Sequence, residues 1–436
     1  MTTAPPAATG TPRMTLQVWV SQGIWAVVDQ GLFASSNFIL NVLLARWLAP
    51  DEYGAFTIAF SIFLLLATSH SSLVQEPMLV FGPGRFSDRF ARYLDSIVLE
   101  HWRLTALLGT LLVLVGVGAW VVGKKPVGEA TVALGLACPF ILLQWLMRRP
   151  CYVLGKPQLA ALAGGGYAVL VILGAYSLAS WGLLSAPSAF GLMGLASAAA
   201  ALWLASRLGV RVAPAAKGDP LMAPRREHWE YGRWGLAAAA MNWVPANVYF
   251  VLLPIWGGLA AAGAFRALCN FLLPIVNLYA AFGPLLLPAL VRARGAPAFR
   301  GRAQKAAIGF LGGGVLSWAL LALFGQQLMA WLYAGKYDAF GPDLAWLGAA
   351  SVTFGLAAVA EGALRALERP NLVFWSNTGS GVVALTLAVL LVPRLGVLGA
   401  CLGLVASSMT AGVLMSRQLW IRRANAAWRQ DGSRWR

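Results

Sequence analysis

Twelve uninterrupted apolar runs, each about 20 residues or longer, constrain this chain more than any other feature, because a run of that length can cross a bilayer as a helix. They lie at about 17–45, 54–80, 103–122, 130–147, 158–180, 188–206, 233–256, 263–290, 306–330, 342–366, 371–392 and 397–417. The runs are continuous and rich in Leu and Ala, whereas a membrane barrel alternates in segments of about 10 residues. Charged residues make up only 11% of the chain and hydrophobic ones 59%; a soluble domain carries about 25% charge. A soluble enzyme, a disordered chain and a nucleic-acid-binding domain on a membrane tether are excluded. The first run is too long for a removed leader, and no small-residue cleavage site follows it.

The basic residues sort by side. With twelve spans, 27 of the 33 Lys and Arg fall on the side of the two termini, and only Arg46, Lys124, Lys125, Arg266, Lys336 and Arg394 fall on the other. The positive-inside rule then places both termini in the cytoplasm. It also accounts for the net charge of +17 without a nucleic-acid partner. Cys138, Cys151, Cys269 and Cys401 have no metal or disulfide spacing. The longest loop, 207–232, holds Pro214, Gly218, Pro220 and Pro224. It reads as a linker between six-helix halves at 1–206 and 233–436. In 82–102, Phe86, Phe90, Tyr93 and Ile97 share one helical face and Arg85, Arg89 and Arg92 another. That pattern predicts a basic amphipathic helix lying in the headgroup layer, an anchoring connector.

The halves repeat. Residues 43–56, LLARWLAPDEYGAF, match 252–265, LLPIWGGLAAAGAF, at Leu43/Leu252, Leu44/Leu253, Trp47/Trp256, Gly54/Gly263, Ala55/Ala264 and Phe56/Phe265. Each stretch joins the first two spans of its half. Duplication of a six-span unit places the halves in parallel orientation, with a site expected at the midplane between them.

Residues 37–56, NFILNVLLARWLAPDEYGAF, resemble the opening of the polysaccharide-export branch of the MOP (multidrug, oligosaccharidyl-lipid, polysaccharide) flippase superfamily, the Wzx-like polysaccharide biosynthesis membrane proteins. The carrying pattern is a helix ending in Leu-Leu-Ala-Arg-x-Leu and a Pro-x-Glu-Tyr-Gly turn. Leu332-Tyr-Ala-Gly-Lys-Tyr337 is similar to that family's Tyr-Gly-x-x-Tyr element after the ninth span. The resemblance implies an all-α polytopic membrane protein, with about twelve transmembrane helices in two pseudo-symmetric six-helix bundles of MATE/MOP type. It also implies a bacterial cytoplasmic (inner) membrane location. The substrate implied is an undecaprenyl-pyrophosphate-linked oligosaccharide for envelope, lipopolysaccharide or exopolysaccharide assembly. Membrane lipid and a polysaccharide polymerase or co-polymerase would be partners, and no cofactor is implied.

Polar residues inside the spans are costly and so mark candidate sites. At 100° per residue, Gln22, Asp29 and Ser36 share one arc of span 1, with Gln30, Asn37 and Asn41 beside it. Thr57, Ser61, Thr68, Ser72 and Gln75 share an arc of span 2 near Glu76, and Arg266, Asn270 and Asn277 share one in span 8. Interhelical hydrogen bonds explain the Ser/Thr set equally well. Asp29, Asn37, Gln75, Arg266, Asn270 and Asn277 are the cavity candidates. Arg266 is the candidate for a phosphate or acidic sugar, because a guanidinium holds such groups bidentately. Asp29 and Glu76 are candidates for a coupling proton or sodium ion. Glu361 and Arg365, spaced i, i+4, read as an internal ion pair. His70 points away from the span 2 stripe, toward packing or the lipid edge, and the three histidines read as isolated from one another. Pro245, Pro254, Pro274, Pro284 and Pro288 predict bends in spans 7 and 8, and Gly396, Gly399 and Gly403 predict close helix contact.

No GxxxxGK[ST], HExxH or GxSxG motif is present. A membrane glycan polymerase would want a sizeable outer loop, and the outer turns here are short. The reading is a carrier, not an enzyme. The alternatives are a cation-coupled MATE-type small-molecule exporter and a scaffold of a glycan synthase.

Overall fold

The computed structural model describes residues 16–210, 225–293 and 298–432. The first half contains α1 (Leu16–Trp47), α2 (Pro50–His70), α3 (Glu76–Arg85), α4 (Phe90–Val121), α5 (Lys125–Val153), α6 (Pro157–Ser180) and α7 (Ala186–Leu208). The second contains α8 (Arg225–Asn270), α9 (Leu273–Val291), α10 (Ala298–Tyr333), α11 (Asp343–Leu347), α12 (Ala350–Ala366) and α13 (Pro370–Gly432). Among the described residues, ten helical segments are long and apolar enough to cross a membrane.

Two of those ten are folded back on themselves. Gly258 (φ 72°) and Gly396 (φ 55°) adopt backbone conformations open to glycine but strained for other residues. Around Gly258 the arms of α8 run side by side, because Phe250 and Phe265 lie 4.9 Å apart between ring centroids. Around Gly396, Ser380 Oγ donates to the Ser407 carbonyl at 2.7 Å. The second arm of α8, broken from α9 at Phe271–Leu272, makes one more pass, and the second arm of α13 another. The described residues therefore provide twelve helical passes once both folded-back helices are counted twice. We call the face where α1 begins proximal and the opposite face distal.

Helix ends overrun the apolar runs. The amphipathic segment 82–102 is not a separate surface helix. Its first part ends α3, and from Phe90 onward it is the start of α4. Phe90, Tyr93 and Ile97 are buried there while Arg85, Arg89 and Arg92 are exposed, so the two faces are present on a spanning helix. The expected linker is likewise trimmed, since α7 runs to Leu208 and α8 starts at Arg225; residues 211–224 lie outside the described residues. Gly396 is a turn residue rather than a helix contact, whereas Gly399 packs on the Leu391 carbonyl and Gly403 on the Tyr249 ring.

Lipid offers helices no hydrophobic reason to associate, so close packing at small residues has to hold them together. The repeat-related segments do this across the interface between the halves. A Cβ on Gly54 would lie 1.9 Å from the Leu259 carbonyl oxygen, and one on Gly263 would lie 2.7 Å from that of Pro50. In the first half, α4 and α5 approach in the same way at Gly109/Gly135 and Gly116/Gly128. The backbone on both sides of Gly54 cannot yield. Gly54→Ala should therefore lower unfolding free energy by about 1–3 kcal/mol. Gly31→Ala, with open space at its Cβ position, should change it by less than about 0.5 kcal/mol. Denaturant unfolding of the purified protein in detergent checks both.

Candidate functional site

The distal interface is built from polar groups of both halves. Asn270 ends the second arm of α8, where Pro274 starts the next helix, and its Nδ2 donates to Tyr53 Oη (3.1 Å) and Tyr333 Oη (3.3 Å). Tyr333 passes its own proton to the Ala267 carbonyl at 2.9 Å. One turn earlier, the Arg266 guanidinium lies over the Phe60 ring of α2 (5.3 Å) and the Phe250 ring of α8 (5.7 Å). Its Nε donates to Asn41 Oδ1 at 3.3 Å. Among the described residues no carboxylate pairs with it.

Beyond this knot the halves cap each other. Arg46 of α1 donates to the Trp331 and Leu332 carbonyls at the end of α10, both at 3.3 Å. Lys336, just past α10, donates to the Arg46 and Leu48 carbonyls at the end of α1, at 2.7 and 2.6 Å. Carbonyls in the last turn of a helix have no intrahelical donor, and cations satisfy them well. Burial pulls the Lys336 pKa below its ordinary value.

Toward the proximal face a second cluster lies within the first half. Asp29 is fully buried and accepts from Arg148 Nε (3.2 Å) and Nη2 (2.8 Å). Tyr152 Oη donates to the same carboxylate. Arg148 also stacks on Phe33 at 4.4 Å. The neighbouring Arg149, half-buried, donates through Nε to Gln75 Oε1 at 3.1 Å. Gln75 Nε2 meets His70 Nδ1 at 3.1 Å, and His70 Nε2 meets His101 Nδ1 at 2.9 Å. His70, Gln75 and His101 are buried.

The histidines are therefore not isolated, and His70 faces neither lipid nor plain packing. Residues Ser71–Gln75 form a π turn, whose i to i+5 spacing sets Gln75 beside His70. His228 of α8 bonds Tyr93 Oη of α4 at 2.8 Å, in a proximal contact where Arg85 also pairs with Glu227.

The candidate residues thus divide. Arg266 and Asn270 lie at the distal interface, and Asp29 and Gln75 in the proximal cluster. Asn37 is half-buried and donates back to the Phe33 carbonyl at 3.0 Å. Asn277 is exposed on α9 and Glu76 is exposed on α3. Glu361 and Arg365 pair with each other on α12. Arg148 and Arg149, just past the apolar run at 130–147, lie inside α5, because that helix runs through Pro150 to Val153. The apolar Cys151-Tyr-Val that follows the proline was the available signal. An apolar cavity of about 520 Å³, lined by Val117, Trp120, Glu129, Val132, Leu136 and Pro187, opens elsewhere, among α4, α5 and α7.

No family model and no curated protein matches the sequence. Solved structures do match. An inward-facing MATE-family multidrug resistance transporter of the MOP superfamily aligns with a TM-score of 0.72 and 16% identity, over 93% of this chain and 99% of that one. The lipid II flippase MurJ in an inward closed conformation aligns with a TM-score of 0.72 and 12% identity, over 92% and 87%. An outward-facing MATE transporter aligns with a TM-score of 0.60 and 16% identity, over 95% and 96%. The chain is thus a polytopic membrane protein with the MOP-superfamily fold.

Removing one partner of a buried ion pair strands the other charge. Asp29→Asn should destabilise the protein by about 3–5 kcal/mol. Adding Arg148→Gln should recover a large part of that loss, because the stranded guanidinium is then gone. A double-mutant cycle in denaturant measures the difference.

Proposed function

We propose that this protein translocates a lipid-linked oligosaccharide, carried on undecaprenyl pyrophosphate, across the bacterial cytoplasmic membrane for envelope or exopolysaccharide assembly. The observation that carries the proposal is Arg266, a guanidinium held where the halves meet and paired with no described carboxylate. A cation in that position suits an anionic headgroup. Arg149 adds a second guanidinium nearer the proximal face. The fold is common to a multidrug resistance MATE-family transporter and to a lipid II flippase.

The cycle is alternating access between halves at 1–206 and 233–436. The proximal face is cytoplasmic, as the sorting of basic residues implies. The headgroup enters from that face while the polyprenyl chain stays in lipid. No bond is made or broken, so the protein is a carrier and not an enzyme. A polysaccharide polymerase or co-polymerase would take the product on the far side.

A cation-coupled small-molecule exporter is the competing reading, and the likeness to MATE transporters favours it. It requires an available carboxylate. Asp29 is committed to Arg148 and Tyr152, which leaves Glu76.

Deletion of the gene should abolish secreted polymer and leave intact lipid-linked repeat units on the cytoplasmic leaflet. Complementation with Arg266→Ala should restore less than about one tenth of export, the effect of losing one charge-assisted contact worth about 1.5–3 kcal/mol. Normal polymer together with raised sensitivity to cationic dyes would transfer the assignment to drug export.

A further inference from the structure

The apolar cavity among α4, α5 and α7 contains one charge that nothing in the fold uses. Near the distal face, α4 and α5 pack backbone to backbone at Gly116 and Gly128. A Cβ on Gly116 would lie 2.8 Å from the Gly128 carbonyl oxygen, and one on Gly128 would lie 2.7 Å from that of Gly116. Beside that contact Val117 and Trp120 of α4 and Val132 and Leu136 of α5 line the cavity, with Pro187 at the start of α7. Val117, Trp120 and Leu136 are exposed, and Leu111, Leu114 and Val121 extend the same exposed apolar surface along α4. A surface of that kind on spanning helices faces lipid. The cavity, about 520 Å³, is therefore a groove open to the hydrocarbon, of the size that holds a single small ligand.

Glu129 also lines this groove. It is exposed, and among the described residues it forms no ion pair. A carboxylate bordering hydrocarbon is costly and calls for a partner. Side chains lean toward the N-terminus of their helix, which for α5 is the distal face, so the carboxylate rises toward headgroup level. Lys125 stands four residues earlier on the same helical face, about 6 Å along the axis. Its ammonium lies 5.8 Å from the centroid of the Trp120 ring, and it too has no ion-pair partner among the described residues. One anion and one cation thus stand at the mouth of the groove without pairing with each other. Val132 and Leu136 continue the stripe for about 10 Å toward the membrane centre.

We propose that this groove binds one phosphatidylethanolamine of the distal leaflet. Its ammonium donates to the Glu129 carboxylate, and its phosphate accepts from the Lys125 ammonium. One acyl chain runs down the groove along Val117, Val132 and Leu136. No bond is made or broken. Opposite charges one helical turn apart complement a zwitterionic headgroup. An anionic phospholipid would meet repulsion from Glu129. A choline headgroup has no N–H to give the carboxylate, and the Trp120 face that could hold a quaternary ammonium is occupied by Lys125. A protein partner would have to bury both charges. The groove lies within the first half, apart from the interface between the halves, so the assignment does not depend on what the protein carries.

The test titrates the full chain, stripped of lipid in detergent, with phosphatidylethanolamine, phosphatidylcholine and phosphatidylglycerol of identical acyl chains. Native mass spectrometry counts the bound lipid. One phosphatidylethanolamine should bind at least about tenfold more tightly than either competitor, the factor that one charge-assisted hydrogen bond supplies. Glu129→Gln should remove that preference and leave the affinity for phosphatidylcholine unchanged. Should that variant fail to fold, Leu136→Trp decides: an indole filling the groove should abolish the preferred binding while both charges remain. Equal affinities for the three lipids overturn the proposal, as does tighter binding of phosphatidylglycerol. A phosphatidylethanolamine preference that survives in either variant overturns it as well.

Discussion

The backbone contact between Gly54 and Gly263 is the constraint on which the rest of the distal interface depends. These residues are equivalent in the internal repeat, and each lies against the backbone that leads into the other's helix. Only because the two segments come this close can Tyr53 reach Asn270, and Arg266 reach a phenyl ring on each side. The same approach brings the ends of α1 and α10 within reach of each other's cations. The two matching segments of the sequence thus meet at the closure.

The two polar clusters differ in kind. The distal cluster joins the halves, so its hydrogen bonds must break for the distal face to open. In the proximal cluster the ion pair of Asp29 with Arg148 and the chain from Arg149 to His101 are internal to the first half. None of its bonds crosses to the second half. It holds more guanidinium than carboxylate. A distal clasp thus joins the halves, while a cationic cluster lies within the first half toward the proximal face.

Much of this was legible in the sequence. Length and apolarity gave the twelve passes, because lipid forces every backbone polar group into a helix. The repeat located the two turns that meet. Asp29, Gln75 and Arg266 stood out because ionisable and amide groups in lipid need partners. Their partners were not legible. A strict 100° step per residue predicts the face of every residue after Ser71 wrongly once a π turn intervenes. For that reason the His70–Gln75 contact was hidden, while the His70–His101 contact joins two helices whose facing no spacing in the sequence sets. The apolar run that ends at 147 left Arg148 and Arg149 outside the span, yet α5 continues through Pro150 to Val153, since a proline inside a membrane helix can be accommodated when neighbouring helices satisfy the freed carbonyl. The tyrosines at 53 and 333 bond through hydroxyls on aromatic rings that pass as core in a sequence of this composition.

The most direct measurement is to lock the distal face shut. Cysteines at Ala49 and Lys336, joined in cells by a short dithiol-reactive crosslinker, would tie the end of α1 to the segment after α10. If transport requires these halves to part, crosslinked cells lose polysaccharide export and regain it on reduction, while each single cysteine with the same reagent exports normally. Full export from protein that is quantitatively crosslinked would contradict alternating access through this interface.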